Sequence, residues 1–577
     1  MNEIQQQIVK AYTDGNFLPF VYEQQKNGNA FIDDLIFLHN TGEINVVQSF
    51  SELRNIADFG YKFFSQREIF SKILPGINAD TQDVMDCLNN LVNEAKGDAA
   101  ATWILSSLDG FFSSDEKRSS DMLNIAASEP EKYYLFISRA ITANPNHDEK
   151  KYFDKIIPLL SHKNKVVRSA AIFSLGKIKY GKESILRKKA LERLAEVAAS
   201  EIDDQVLGNI VGSVYNFIIS DSSLLKKGIE MLIEITSKGG EFTTHIVSEE
   251  FALNADSLSD EIFNVFTDKL VTVNIKNKGT FNRIGMGLRK LLKANDYDKV
   301  ITFLERFLLI QDEAFSFRSL DGFPQTFCAD TKFLNKILTK WFLSGEVAFC
   351  KAASVIIDET HNEKLTLEID TEECSDVDRR HLVFLARKSV GYLFSHPITA
   401  TSLIVSLMRL TDDDVTLKDL ADLLFYPLLI SYSGNVREYL EDRLSKEIKL
   451  VKDYIQKALD RLSNYLKIIN SVGNLPELQP YQRQKEAYAF YSNKILYKQY
   501  KEAEKKSPFL NTAKKITLLY GAKCVSYINR SSALPQRVEI PLQQHSFSVE
   551  MPRLVSIDSV GLDLLLRRFR LEKLLLS

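Results

Sequence analysis

A helix whose apolar residues form one stripe cannot bury that stripe alone, and this chain writes such helices one after another. KKYFDKIIPLLSH (150–162), SILRKKALERLAEVAAS (184–200), LLKKGIEMLIEITSKG (224–239) and YDKVITFLERFLLIQ (297–311) each carry apolar residues at helical spacing and end at a short polar loop. Stacking each unit on the next hides every stripe while each helix needs only its neighbours; a compact multi-helix globule is the alternative. Breakers are scarce: 24 Gly and 14 Pro in 577 residues fall well below the usual ~7% and ~5%. The expected class is therefore all-α in the main, an α-solenoid with a long C-terminal helical hairpin and a small α/β cap.

One stretch, HKNKVVRSAAIFSLGKI (162–178), carries more than periodicity. Asn164, Val167, Arg168, Ala171, Ser174, Leu175 and Gly176 stand where HEAT repeats, an armadillo-type fold, typically read Asp-x-x-Val-Arg-x-x-Ala-x-x-Ala-Leu-Gly. The stretch resembles the inner helix of that repeat, with Asn for Asp and Ser for Ala. Asn still caps a helix N-terminus, and Ser still lets helices approach closely. Thirty-nine residues after Asn164, Asp203-Asp204-Gln205-Val206 restarts the pattern with Leu207 in place of the arginine; such repeats run about 40 to 47 residues. The resemblance covers residues 150–215 or so. It implies that Asn164 and Asp203 cap helices, that Val167, Ala171, Leu175 and Val206 are core, and that Arg168 reaches an acidic group or loop carbonyl of the adjacent unit.

On this reading 1–150 is an N-terminal helical region and 151–355 holds the HEAT-like repeats. A further helical region, 356–435, contains an inserted acidic loop, and 436–510 is the helical hairpin. The cap is 511–577. Within 356–378, Leu365, Leu367 and Ile369 alternate like a short strand. The six acidic residues from Glu368 to Asp378 lack the central Gly of a calcium loop, so a solvated loop is expected. The uncharged run Ser389–Met408 could nominally span a bilayer, but Pro397 interrupts it, and it reads as a buried helix pair broken there.

Several motifs resolve into structural readings. Gly176 to Lys182 spells GxxxxGK, yet Glu183 replaces the magnesium-binding hydroxyl and the loop follows a helix. Gly285-Met286-Gly287 lacks a third glycine and is expected to be a tight helix start. SLDGF, at 107–111 and again at 319–323, is expected to be an Asp-Gly turn with an apolar anchor. The eight histidines are scattered, no ligand set has metal spacing, and no cofactor or catalytic signature marks an enzyme. Five cysteines without a CxxC pair, and an N-terminus without a leader pattern, point to a reduced, cytoplasmic protein.

The formal net charge of −3 names no partner, but its distribution is uneven. From Leu444 to Ile469 the apolar spacing approaches a heptad seam, the first arm of the hairpin. From Tyr481 to Arg530 there are eleven Lys/Arg against three Asp/Glu, with nine Tyr/Phe, a local balance of +8. Arg483, Lys485, Lys494, Lys498 and Lys501, followed by Lys505, Lys506, Lys514 and Lys515, could meet phosphates or an acidic partner. Tyr488, Tyr491 and Tyr497 could stack on bases or pack inward. RVEIPLQQHSFSVEM (537–551) reads as two short strands. The closing helix has a stripe at Leu562, Leu565, Leu566, Phe569 and Leu576 and a second at Leu564, Leu571 and Leu575, so burial on two sides is expected. The functional expectation is a scaffold without catalysis that binds a partner protein on stacked helices, without membrane or metal; the alternative is a nucleic-acid-binding component, of bacterial antiviral defence for instance, acting through 481–530.

Overall fold

The computed structural model describes residues 1–574 apart from 25–28, 56–59, 96–97, 99, 114, 143–147, 182–183, 275, 312–319, 321–322, 376–377, 473–488, 490–491, 494–495, 498, 500, 502–522, 529–535 and 542–549. The fold is all-α, with many packed helices in two compact units, Met1–Ala329 and Asp330–Ser577. That division falls inside the stretch 151–355.

The first unit opens with α1 (Glu3–Thr13), α2 (Phe17–Gln24), α3 (Asn29–Asn40), α4 (Val46–Ser51), α5 (Gly60–Ile73) and α6 (Thr81–Glu94). Short α7 (Leu108–Ser113) leads into α8 (Glu116–Ser128). From there the helices fall into two rows. In one, α9 (Pro130–Thr142), α11 (Lys165–Leu175), α13 (Asp204–Ser220), α15 (Glu241–Asn254) and α17 (Lys278–Lys293) pack each on the next. In the other, α10 (Glu149–Ile156), α12 (Ile185–Ser200), α14 (Leu225–Lys238) and α16 (Asp260–Leu270) do the same. Helices α18 (Tyr297–Ile310) and α19 (Phe323–Cys328) pack on α17. Side-chain caps start these helices: Asn164, Ser184, Asp203, Ser259 and Asn277 each accept a backbone N–H of the first turn. Between the rows lies the core, with Val167, Ala171, Ile172 and Leu175 of α11 and Val206, Ile210 and Val214 of α13 fully buried.

Glycines set how closely the row packs. A Cβ on Gly176 would lie 2.8 Å from the Cα of Ser213, so a larger residue would force α11 and α13 apart. Gly285-Met286-Gly287 is not a helix start. It sits in the middle of α17, where a Cβ on Gly287 would overlap the Phe251 ring of α15. The requirement is steric, and no backbone turn is involved. The first SLDGF is likewise helical, running into α7, instead of forming a turn; Gly110 there lies against Pro75. Most of the second copy lies outside the described residues.

The second unit contains α20 (Thr331–Ser344), α21 (Val347–Glu359), α22 (Arg379–Leu393), α23 (Pro397–Met408), α24 (Asp414–Leu423), α25 (Asn435–Arg443) and α26 (Lys449–Val472). Helices α20, α22, α24 and α26 again pack in sequence, as do α23 and α25. The uncharged run Ser389–Met408 is the end of α22 plus all of α23, with Pro397 in the first turn of α23, where its missing N–H does no harm. Every residue of α23 is buried within the unit. Among the described residues no helix is long and apolar enough to cross a membrane.

The acidic loop does hold an extended segment, but helices serve as its hydrogen-bonding partners. Leu367 N and Ile369 N donate to Ser402 Oγ and Ser406 Oγ of α23, both at 3.0 Å. The alternate amides, Glu368 N and Asp370 N, donate to Asn335 Oδ1 (3.0 Å) and Thr339 Oγ1 (2.9 Å) of α20. Side-chain hydroxyls and an amide thus replace a neighbouring strand, which satisfies the buried backbone without a sheet.

At the C-terminal end, α26 is the first arm of the expected hairpin; nearly all of the second arm lies outside the described residues. Two strands are present, β1 (Lys523–Ile528) and β2 (Gln536–Pro541), paired antiparallel with Lys523 opposite Pro541. Of the stretch where two strands were expected, β2 covers the beginning, and 542–549 lie outside the described residues. A packed α/β cap is not supported: the ribbon pairs strand to strand, and after α27 (Arg553–Ile557) the closing helix α28 (Ser559–Leu571) docks on α22. Lys388 Nζ and Tyr392 Oη of α22 both donate to the Arg570 carbonyl, at 2.6 and 3.3 Å. Arg387 pairs with Glu572 at 2.7 Å. The expectation of burial on two sides fails, because Leu562, Leu566 and Phe569 are buried while Leu564 and Leu571 are exposed.

One regularity runs through both units. Polar side chains reach across from one helix pair to the next at sequence distances of 30 to 42 residues, several of them at 38 to 40. In the first unit Lys165–Asp203 and Arg306–Asp268 are 38 residues apart and Thr243–Asp204 is 39 apart. In the second, His396–Asp358 and Arg409–Glu447 are 38 apart, and Arg379–Asp419 and Tyr454–Asp414 are 40 apart.

Candidate interaction surface

The row α11, α13, α15 and α17 buries one side and leaves another exposed, and its caps, Asn164, Asp203, Gly240 and Asn277, put the four helices in a common register. Nine residues past each cap stand Phe173, Gly212, Glu249 and Met286; thirteen past stand Lys177, Asn216, Leu253 and Lys290. None of these eight is buried. Phe173, Leu253 and Met286 are 44%, 57% and 42% exposed. Lys177 Nζ lies 5.1 Å from the Phe173 ring, a cation over an aromatic face.

Charge on this face is concentrated on α15 and α17. Arg283 Nη2 approaches Glu249 Oε2 at 3.9 Å, and Arg283 Nη1 lies 2.9 Å from His245 Nδ1, which also faces Thr280 Oγ1 at 3.2 Å. Arg283 Nη1 also touches His245 Nε2, and burial, then the Arg283 charge, lower the pKa of His245. Glu250 is the outlier. Ten residues past the cap the other helices carry Ser174, Ser213 and Gly287, all buried; Glu250 fills that same place on α15. Burial pushes its carboxyl up to about 7 against the Lys177 charge, and Asn254 Nδ2 donates to Oε2 at 3.1 Å.

A carboxyl whose folded pKa is raised binds a proton more tightly in the native state, so its stability contribution is present at low pH and is lost as pH rises from the unfolded value of 4.5 through about 7. Glu250→Gln is therefore expected to raise the melting temperature at pH 8 and to leave it unchanged at pH 4. About 1 to 2 kcal/mol at pH 8 is the expected gain. Equal effects at both pH values in a thermal melt would contradict that reading of Glu250.

The repeat residues meet at the edge of this row. Arg168 clamps Glu201 with two parallel bonds, Nε to Oε2 at 3.0 Å and Nη2 to Oε1 at 3.2 Å, while Nη1 donates to the carbonyls of His162 (2.9 Å) and Lys163 (3.1 Å). Burial raises the Glu201 carboxyl, but Arg168 and the N–H groups of Asp203 and Ile202 outweigh it and hold the carboxyl below the usual range. Asn164 caps α11 through Val166 N at 3.0 Å, and Asp203 caps α13 and pairs with Lys165 at 2.8 Å. Beside the clamp lies an open groove of about 720 Å³, lined by His162, Lys163, Arg193 and Glu196. The acceptors Glu201 and Asp204 were not singled out in the sequence, because each bonds residues 33 to 39 positions away.

Of the basic set, Arg483, Lys485, Lys494, Lys498, Lys505, Lys506, Lys514, Lys515, Tyr488 and Tyr491 lie outside the described residues. Lys501 and Tyr497 are described: both are exposed, and Lys501 Nζ is 5.1 Å from the Tyr497 ring. Among the described residues no group of three His, Cys, Asp or Glu could hold a metal ion.

No protein-family model matches the chain, and no curated protein matches it. Among solved structures it is similar to the crystal structure of an engineered protein from the Northeast Structural Genomics Consortium, at 15% identity over 80% of this chain and 99% of that one. The TM-score of that likeness is 0.22, too slight to inform either fold or function.

Proposed function

We propose that this chain is a helical repeat protein of the HEAT type that acts as an interaction scaffold, holding a partner protein on the exposed face of α11, α13, α15 and α17 and catalysing no reaction. The observation that carries this reading is the exposure of Phe173 and Met286, each nine residues past its cap, and of Leu253, thirteen past its cap, with Lys177, Arg283 and Glu249 on the same helix row. A partner offering apolar side chains in an amphipathic helix or extended segment fits such a surface. The 38-to-40-residue spacing of several inter-helix bonds and the Arg168 clamp support the repeat assignment. Among the described residues Cys87, Cys350 and Cys374 are in no disulfide, which fits a reducing compartment such as the cytoplasm.

The test is affinity capture from native lysate with and without nuclease, using the natural chain and the Phe173→Asp/Met286→Asp variant. Both side chains are exposed, so the variant should melt within about 1 kcal/mol of the natural chain. Partners that survive nuclease and are lost with the variant support the scaffold. Partners unaffected by the substitutions would sink this face as the binding surface. The second reading rests on the +8 balance of 481–530. Under it, the captured material disappears with nuclease and ignores the α11 and α17 substitutions.

A further inference from the structure

The closing helix α28 is finished on one side only. Leu562, Leu566 and Phe569 are buried in the second unit, whereas Val560, Leu564 and Leu571 are 69%, 62% and 66% exposed. With Arg567 they form a continuous stripe at spacings of 4, 3 and 4, the register of a two-helix seam. Met551 and Val555, just before α28, are exposed too but line a groove on its other side with Leu562 and Leu566. Scattered exposed leucines need no explanation, but an aligned stripe does.

We propose that this stripe is the contact surface for a second copy of the same chain, with the two α28 helices antiparallel. The charge order along the helix selects this occupant. Asp558 and Asp563 lie in or before its first half, and Arg567 and Arg568 in its second. A helix of the same sequence laid antiparallel brings each acidic half over a basic half and also opposes the two helix dipoles favourably. With the two-fold axis between residues 565 and 566, Val560 meets Leu571 of the second copy, and Leu564 meets the aliphatic stem of Arg567. Asp563, now paired with Arg567 of its own helix at 2.9 Å on an open surface, gains Arg567 of the second copy as a neighbour. The contact is isologous, so each favourable pair occurs twice. A seam of one 13-residue helix on another is small, near or below the ~1,200 Å² end of specific interfaces, so the dimer should depend on concentration.

Sedimentation equilibrium of the full chain, from about 1 to 100 µM, tests this by following the mass upward from the 65.7 kDa monomer towards twice that value. Leu564→Glu is expected to stay at the monomer mass throughout, with unchanged helicity and melting, since Leu564 makes little contact in the monomer. Asp563→Arg and Arg567→Asp should each weaken dimerisation at least ~10-fold by placing like charges in apposition. The double variant Asp563→Arg/Arg567→Asp should regain it. A natural chain that remains monomeric over the whole range overturns the proposal, as does a dimer indifferent to Leu564→Glu or a double variant that fails to recover.

Discussion

Arg168→Ala is expected to lower the unfolding free energy by about 3 kcal/mol at neutral pH, because it leaves a buried carboxylate behind. The Glu201 side chain is 7% exposed, and both of its oxygens face the Arg168 fork. Without the guanidinium, Glu201 keeps only the N–H groups of Ile202 and Asp203, at 3.1 and 3.0 Å. The carbonyls of His162 and Lys163 lose a donor at the same time. The pH dependence follows from the sign of the shift. In the natural chain the folded pKa is held below 4.5, so this contribution is present above that value and is lost as pH falls through the folded pKa. The deficit of the variant should accordingly be full at pH 7 and shrink below about pH 4. Adding Glu201→Gln should recover part of it, since the buried charge is then gone. Urea titration of the three proteins checks this, and an unchanged midpoint for Arg168→Ala would remove the clamp from the account of stability.

That clamp shows why the pattern was legible at one helix pair and not at its neighbours. Four residues past the cap, where α11 has Arg168, the following helices carry Leu207, Thr244 and Phe281. The stack continues through these helices, because packing in a row needs apolar or small side chains at buried places and tolerates almost any identity among them. A motif that depends on identity therefore disappears while the architecture persists. The break at Pro397 was readable for the opposite reason: a proline limits backbone geometry whatever surrounds it. Gly285 and Gly287 were misread because glycine marks both a backbone need and a steric one, and only the position of the Phe251 ring decides between them. The candidate surface was not readable at all. Phe173 and Met286 lie in apolar-rich helices, and exposed members of such helices look like core until the neighbouring row is in place. The second stripe of α28 was recognised, but its burial depended on a second partner that the unit does not supply.

A second large effect is expected one interface further along, at Asp204. Helix α15 is preceded by Gly240, which has no side chain to cap it, and the cap comes from α13. Asp204 Oδ1 accepts from Gly240 N (2.6 Å), Thr243 N (3.1 Å) and Thr243 Oγ1 (2.6 Å), and Oδ2 accepts from Phe242 N (2.7 Å). Burial raises this carboxyl, but these four donors outweigh it and hold it below 3.8. Asp204→Ala should thus cost about 3 kcal/mol, a lost cap plus charge-assisted bonds, present at neutral pH and vanishing as pH falls through the folded pKa. Asp204→Asn should cost less, because its Oδ1 can still accept from Gly240 N, Thr243 N and Thr243 Oγ1 while its amide N–H₂ opposes Phe242 N alone. The position of the damage carries as much information as its size. In a row where each helix pair contacts only the next, hydrogen exchange should show the amides of α15 losing protection first while those of α9 keep theirs. Protection lost evenly from α9 to α17 would mean that the row opens as one cooperative body, and the repeat-by-repeat account of its stability would fall.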